Sequence, residues 1–317
     1  MQYQNAGNNV DVSVVIPVYN SEDCLFELYQ RLTSTLGDYV KKYEIIFIND
    51  CSTDQSWEKI VELCEKDKKI NGICLRKNFG QDSAIMAGLN NVCGGKIVIM
   101  DDDLQHDPAY IPLLLEKLES GYDVCYALFE TKRQSRFKNF GSWLNGKIAE
   151  IVFNKPKNIY LSPFKAITRE IADELIKYDG PHPYMDGLLF RITHNITQVP
   201  VKHFRRQSGK GHYTLMRSLQ VWSRMATNFS VFPLRASLVF GFIASIIGFL
   251  MAIYFIIERI LFAQPMGWAS LMVSLLFLGG ILLIAVGIVG EYVGRLFLHI
   301  SKEPQFIISH FTKKPEE

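Results

Sequence analysis

A chain of 317 residues with 48% hydrophobic side chains is long enough for about two domains and a sizeable buried core. Its six cysteines (Cys24, Cys51, Cys64, Cys74, Cys93, Cys125) contain no C-x-x-C pair, which argues against a disulfide framework or structural zinc and makes a reducing compartment the default. Net charge is +2, but residues 1–201 carry 22 basic and 27 acidic side chains while 202–235 carry seven basic and no acidic ones; a positive block just before an apolar segment fits a cytoplasmic membrane face and not a nucleic-acid-binding domain.

In chain order, Val12 to Val18 (VSVVIPV) predicts a strand, followed by an amphipathic helix from Glu22 to about Leu36. Tyr43 to Ile48 is the next strand and Asp54 to Lys68 the next helix, with Ser52 or Asp54 as its N-cap. Asn71 to Leu75, Gln81 to Asn90 and Lys96 to Met100 read as strand, helix and strand. This alternation predicts an α/β fold with a mostly parallel, doubly wound sheet, covered on both faces and binding its ligand at the carboxyl ends of the strands. With neither a G-x-G-x-x-G nor a Walker pattern, any nucleotide phosphates must be held by other means.

Further along, Phe137 to Phe153 and Tyr213 to Phe232 interleave aromatic, aliphatic and basic residues at near-helical spacing. They read as interfacial helices on the cytoplasmic leaflet, with core helices as the alternative. Ala236 to Ile257 is a run of 22 uncharged residues and Trp268 to Gly290 a run of 23. At ~1.5 Å per residue each spans a ~30 Å hydrocarbon layer. A transmembrane hairpin is therefore expected, and its basic flanks put the N-terminal region and the C-terminal tail in the cytoplasm. No charged stretch followed by an apolar run opens the chain, so no cleavable leader is expected.

The predicted carboxyl ends are polar in a selective way: Pro17-Val18-Tyr19-Asn20, Asn49-Asp50-Cys51-Ser52, Arg76-Lys77-Asn78-Phe79-Gly80 and Asp101-Asp102-Asp103-Leu104-Gln105-His106. Three consecutive carboxylates repel one another unless a cation or several donors offset them. Asp103 and Gln105, two apart, could present oxygens to one side of an extended segment, as Mg²⁺ or Mn²⁺ prefers. A solvated acidic loop with Asp102 or Asp103 as a helix cap is the alternative.

The segments VSVVIPVYN, FINDCSTD, LRKNFGQDSAIMAGL and DDDLQHDP, in that order, resemble family 2 glycosyltransferases of the GT-A fold. More closely, the chain resembles the polyprenyl-phosphate glycosyltransferases, including the entry F-P-L-R (Phe232 to Arg235) and exit G-E-Y-V-G-R (Gly290 to Arg295) of the membrane hairpin. The resemblance implies a GT-A catalytic domain over 1–212, a juxtamembrane segment over 213–235, two membrane helices within 236–293 and a cytoplasmic tail over 294–317. It implies an inverting, metal-dependent transfer of a hexose from a nucleotide sugar, favoured as uridine-linked, to a polyprenyl (undecaprenyl) phosphate at the inner membrane.

Carried over by position, Pro17, Tyr19 and Asp50 match the base and ribose pocket, and Asp101, Asp102 and Arg76 join them on the donor. Asp101, Asp103 and Gln105 match the metal site for Mg²⁺ or Mn²⁺. Arg133, Lys138, Arg205 and Lys210 are expected at the acceptor or donor phosphates, and Arg206 is expected to act directly on a phosphate. Relatives have an acidic residue where Ile159 stands, in N-I-Y-L-S-P-F-K, so its acceptor-side role falls to Asp186 in PYMDGLLFR, with a helix N-cap or surface salt bridge as the other reading. Ser21 and Glu22 are given no base-binding role. A processive polysaccharide synthase and a catalytically silent membrane scaffold are the alternatives; the former lacks its Q-x-x-R-W motif, and self-association is left open.

Overall fold

All seven residues of the first strand, Val12–Val18 (β1), are buried, as a central strand covered on both faces must be. The structure, a computed structural model, describes residues 10–129, 159–202, 232–262 and 267–312. β1 pairs in parallel with Tyr43–Asn49 (β2) and Lys96–Ile99 (β4), and β2 with Ile70–Leu75 (β3). Helices Leu25–Tyr39 (α1), Ser56–Lys66 (α2) and Gln81–Leu89 (α3) connect them. Then come Ile111–Glu119 (α4), Val124–Phe129 (β5), Lys165–Thr168 (β6), Arg169–Leu175 (α5), Met185–Ile192 (α6) and Ile196–Val201 (β7).

The eight described strands form one sheet in the order β7-β5-β6-β4-β1-β2-β3-β8, where β8 is Ile308–Phe311. β6 runs antiparallel to both β4 and β5, and β8 antiparallel to β3. The sheet is therefore mixed, where a mostly parallel one was expected. The segment expected as a tail begins as the end of a helix and then supplies an edge strand: the Arg76 amide donates to the Ile307 carbonyl at 2.8 Å, and the Gly72 amide to Thr312 Oγ1 at 2.8 Å.

On one face of the sheet Val12, Val14, Ile16 and Val18 pack with Leu25, Leu28, Leu32 and Leu36, the apolar stripe of α1. The other face carries α3, whose residues Ser83 to Leu89 are all buried. Gly88 permits that approach, since a Cβ there would lie 2.5 Å from Val15 Cγ1 and 2.9 Å from Ile48 Cδ1. Two helices begin later than their patterns predict. The Glu22 amide donates to Asp54 Oδ2 at 3.1 Å, and Glu22 Oε2 accepts from the Gln55 amide at 2.8 Å, so these residues tie two loops together and α1 and α2 start beyond them. All six cysteines are free thiols.

The chain divides into two compact units, Met1–His212 with Lys302–Glu317, and Tyr213–Ser301. Within the second lie two long helices, Phe232–Phe262 (α7) and Trp268–Ile300 (α8). One of them, α8, contains a stretch, Phe277–Gly294, long and apolar enough to cross a membrane; the apolar part of α7, Ser237–Met251, is shorter.

Candidate active site

Strand order reverses between β1 and β4, from which the chain winds outward in opposite directions. The carboxyl ends of strands at such a switch point form a ready-made crevice. There the Tyr19 amide donates to Asp102 Oδ2 at 3.2 Å, joining the end of β1 to the end of β4. Tyr19 itself is exposed at 50%, leaving its ring free to pack against a planar ligand, whereas Pro17 is buried within β1.

The backbone at this edge is costly. Asn20, Cys51 and Leu104, just past β1, β2 and β4, all have left-handed φ values of 53°, 57° and 60°. Such conformations in non-glycine residues cost about 1 kcal/mol or more and persist where the surroundings impose them. Asn20 is held because its Oδ1 accepts from the Thr53 amide at 2.8 Å, and Leu104 because its side chain, 3% exposed, is drawn into the core. The segment Asp103–Gln105 is therefore a tight turn, not the extended piece that its alternation suggested. Asp103 Oδ1 accepts from the Gln105 amide at 3.1 Å.

Asp50, 3% exposed, spends both oxygens on the loop before α3: Oδ1 accepts from the Phe79 amide and Oδ2 from the Gly80 amide, each at 2.8 Å. Burial lifts its acid while these two donors pull it back. Gly80 has φ 91°, open only to glycine at low cost, and so lets this loop turn into α3. The first two residues of α3 then reach different partners. Gln81 Nε2 donates to Asp101 Oδ1 at 2.6 Å, and Asp82 accepts from the Met185 amide at the start of α6. Arg76, at the end of β3, is exposed at the rim.

Burial, followed by the charges of Asp103 and Asp102, pushes the acid of Asp101 up to about 7. Burial likewise carries Asp102 to about 6, against the hydrogen bonds from Ser21 and the Tyr19 amide. These carboxylates carry more negative charge than their protein donors offset, and hard oxygens are the donors that Mg²⁺ or Mn²⁺ takes. No group of three or more His, Cys, Asp or Glu among the described residues is placed to hold a metal ion by itself, so an ion here would depend on further ligands.

Asp186 lies in the first turn of α6, where its Oδ1 takes the Tyr126 hydroxyl at 2.9 Å and an ion pair with Lys165. The structure brings Asp101, Asp102, Asp103, Tyr19 and, through Gln81, the α3 loop to one edge. Arg133, Lys138, Arg205, Arg206 and Lys210 lie outside the described residues, as do Phe137 to Phe153 and all but the last residue of Tyr213 to Phe232, the two stretches read as interfacial helices. Gln81, Asp82, Tyr126 and Lys165 went unread in the sequence; the available signal was a lone lysine inside the apolar run SPFKAIT.

Burial and the nearby Asp186 charge lift Asp82 to about 7 from 3.8. The folded state then binds its proton more tightly than the unfolded one, so the stability contributed by Asp82 is full below about pH 4 and lost as pH rises through 7. Asp82→Asn, which keeps an acceptor for Met185, is expected to raise Tm at pH 8, to raise it less at pH 5 and to leave it unchanged near pH 4. Equal shifts at all three values in a thermal melt would refute the assignment.

A family model described as "Glycosyl transferase family 2" matches residues 13–177, half of the chain, spanning β1 through α5. The chain belongs to glycosyltransferase family 2. Among curated relatives of this glycosyltransferase, the undecaprenyl-phosphate 4-deoxy-4-formamido-L-arabinose transferase of Klebsiella pneumoniae (strain 342) is 31% identical over 311 residues, covering 96% of this chain and 94% of that one. The protein of the same name from Enterobacter sp. (strain 638) is 31% identical over 309 residues with the same coverage. Among solved structures, glucosyl-3-phosphoglycerate synthase from Mycobacterium tuberculosis with Mn²⁺, uridine diphosphate and phosphoglyceric acid aligns at TM-score 0.50 and 17% identity, over 70% of this chain and 81% of that one. That likeness shows the fold: a mixed α/β sheet of the GT-A type.

Proposed function

We propose that this glycosyltransferase moves a sugar, with inversion, from a nucleotide donor to a polyprenyl phosphate at the cytoplasmic face of the membrane. The observation that carries the reading is the meeting of Tyr19 and the Asp101–Asp103 run at the strand-order switch, in a chain that also bears an apolar helix of membrane-crossing length. Nearly full-length relatives named as undecaprenyl-phosphate sugar transferases support it. A uridine donor is favoured, with the base and ribose lying against Tyr19, beside the loop that Asp50 holds, and the diphosphate reaching Asp101, Asp102 and Arg76. The multi-pass reading, with α7 and α8 as a hairpin, belongs to the same proposal.

Asp101 and Asp103, with Gln105 beside them, would hold Mg²⁺ or Mn²⁺ together with donor phosphate oxygens, and the ion's charge would offset that developing on the departing nucleoside diphosphate. The lipid phosphate oxygen attacks the anomeric carbon as the bond to the diphosphate breaks. Because that phosphate is already anionic, it needs placement more than a strong base. Asp186 is the acceptor-side carboxylate that receives any residual phosphate proton. Arg133, Lys138, Arg205, Arg206 and Lys210 supply positive charge for the phosphates.

The test is a panel of radiolabelled nucleotide sugars with undecaprenyl phosphate and Mn²⁺, including the modified pentose in the relatives' names beside common hexoses. Absence of any lipid-linked product would defeat the reading. Within it, Arg206→Lys is expected to slow transfer about tenfold, since lysine keeps the charge but loses the planar fork that grips a phosphate. Arg217→Lys should match wild type, because attraction to headgroups needs charge alone. Equal rates for the two variants at saturating acceptor would reduce Arg206 to surface charge.

A further inference from the structure

Lys165 opens β6 with its side chain only 4% exposed. It lies in register with Ile99 of β4 and Tyr126 of β5. Residues paired across strands send their side chains to the same face, and Lys165 and Tyr126 both reach the same atom, Asp186 Oδ1. The tyrosine hydroxyl donates at 2.9 Å, the lysine completes an ion pair, and its Nζ lies 5.1 Å from the tyrosine ring centre. No hydrogen bond from a described residue reaches Asp186 Oδ2, and the Asp186 side chain retains 16% exposure.

Other groups face Asp186 as well. Asp82 of α3 and Tyr184, just before α6, both feel its charge, and Lys165 acts on Asp82 and Asp101 in turn. One buried cation therefore acts on both the proposed donor-side and acceptor-side carboxylates. A buried ion pair is rarely more stabilising than a well-packed apolar pair of equal volume. What this pair supplies is orientation: two donors on one carboxylate oxygen fix the plane of the other.

We propose that Lys165 is a positioning residue for sugar transfer, holding Asp186 by one oxygen so that the second is presented to the incoming acceptor. This rests on the reading of Asp186 as the acceptor-side carboxylate. Lys165 touches neither substrate in this account and acts only through Asp186.

The experiment compares Lys165→Met, Lys165→Arg, Tyr126→Phe, Asp186→Asn and the double variant Lys165→Met/Asp186→Asn in the full-length membrane enzyme, with Mn²⁺, the active donor and undecaprenyl phosphate. Asp186→Asn is expected to lower kcat about a hundredfold and Lys165→Met about thirtyfold, with donor KM changed less than about threefold in both. Uridine diphosphate should bind both variants as it does wild type in calorimetry. Lys165→Arg should recover much of the lost rate, and the double variant should be no slower than Asp186→Asn alone, as expected for two residues acting through one group. Losses that multiply in the double variant, or a Lys165→Met enzyme with wild-type kcat beside an inactive Asp186→Asn, would overturn the proposal and leave the Asp186 reading standing. Wild-type turnover in Asp186→Asn would instead overturn that reading. Should Lys165→Met fail to fold, Tyr126→Phe removes the other donor to the same oxygen and is judged by the same non-additivity with Asp186→Asn.

Discussion

Asp103→Ala is expected to lower sugar transfer by at least about a hundredfold, a barrier increase of roughly 2.7 kcal/mol, while the protein stays folded and membrane-bound. The reasoning starts from its turn. Leu104 is buried with a left-handed backbone, and Asp103 is fixed beside it, its Oδ1 meeting the Gln105 amide at 3.1 Å. Alanine keeps that backbone, because the buried leucine enforces it, and deletes one carboxylate of the pair proposed to face the donor diphosphate. Removing negative charge from a crowded acidic run is not expected to destabilise the fold. A solvated loop would barely register the change, so retention of more than about a tenth of the rate, with an unaltered melting curve, would remove Asp103 from the metal site. Titrating Mn²⁺ against both proteins gives a second readout, a rise in the metal concentration needed for half-maximal rate.

Asp50→Ala carries the second large effect, on stability and on donor binding together. Its two oxygens each take one backbone amide, from Phe79 and Gly80, at 2.8 Å. Deleting the carboxylate strands both donors in a recess where Asp50 is 3% exposed. Unmet donors of this kind cost about 1–3 kcal/mol each, so for the two a loss of about 2–6 kcal/mol in unfolding free energy is expected. The same loop delivers Gln81 to Asp101, so donor KM should rise about tenfold through lost placement of the acidic run, even before any contact of Asp50 with a base is counted. Urea unfolding and donor kinetics on one preparation check both parts. A variant with unchanged midpoint and unchanged donor KM would show that the loop holds itself.

Regular periodicity made part of the fold legible. β1 was read to the residue, because β-branched side chains filled both of its faces, and the four carboxyl-end segments were read because polar residues broke each apolar run. β6 and β8 were not, since four residues are too few for a period and their partners are remote: Thr312 meets Gly72 across 240 positions. The same locality limit governs the site. The Asp101–Asp103 run stands out within three residues, whereas Lys165 and Asp82 look like ordinary surface charges until β5, β6, α3 and α6 come together. The expected extended segment at Asp103–Gln105 failed because the burial of Leu104 outweighs the local preference for φ below zero.

The edge strand β8 gives the enzyme an order of construction. During synthesis β3 emerges early, and its outer row of amides and carbonyls stays unpaired until residues 308–311 have been made, after α7 and α8. An open strand edge of this kind invites pairing with other chains. β3 meets its outer neighbour only after α7 and α8 have been made, so a nascent chain interrupted within those two helices carries its sheet with the β3 edge open.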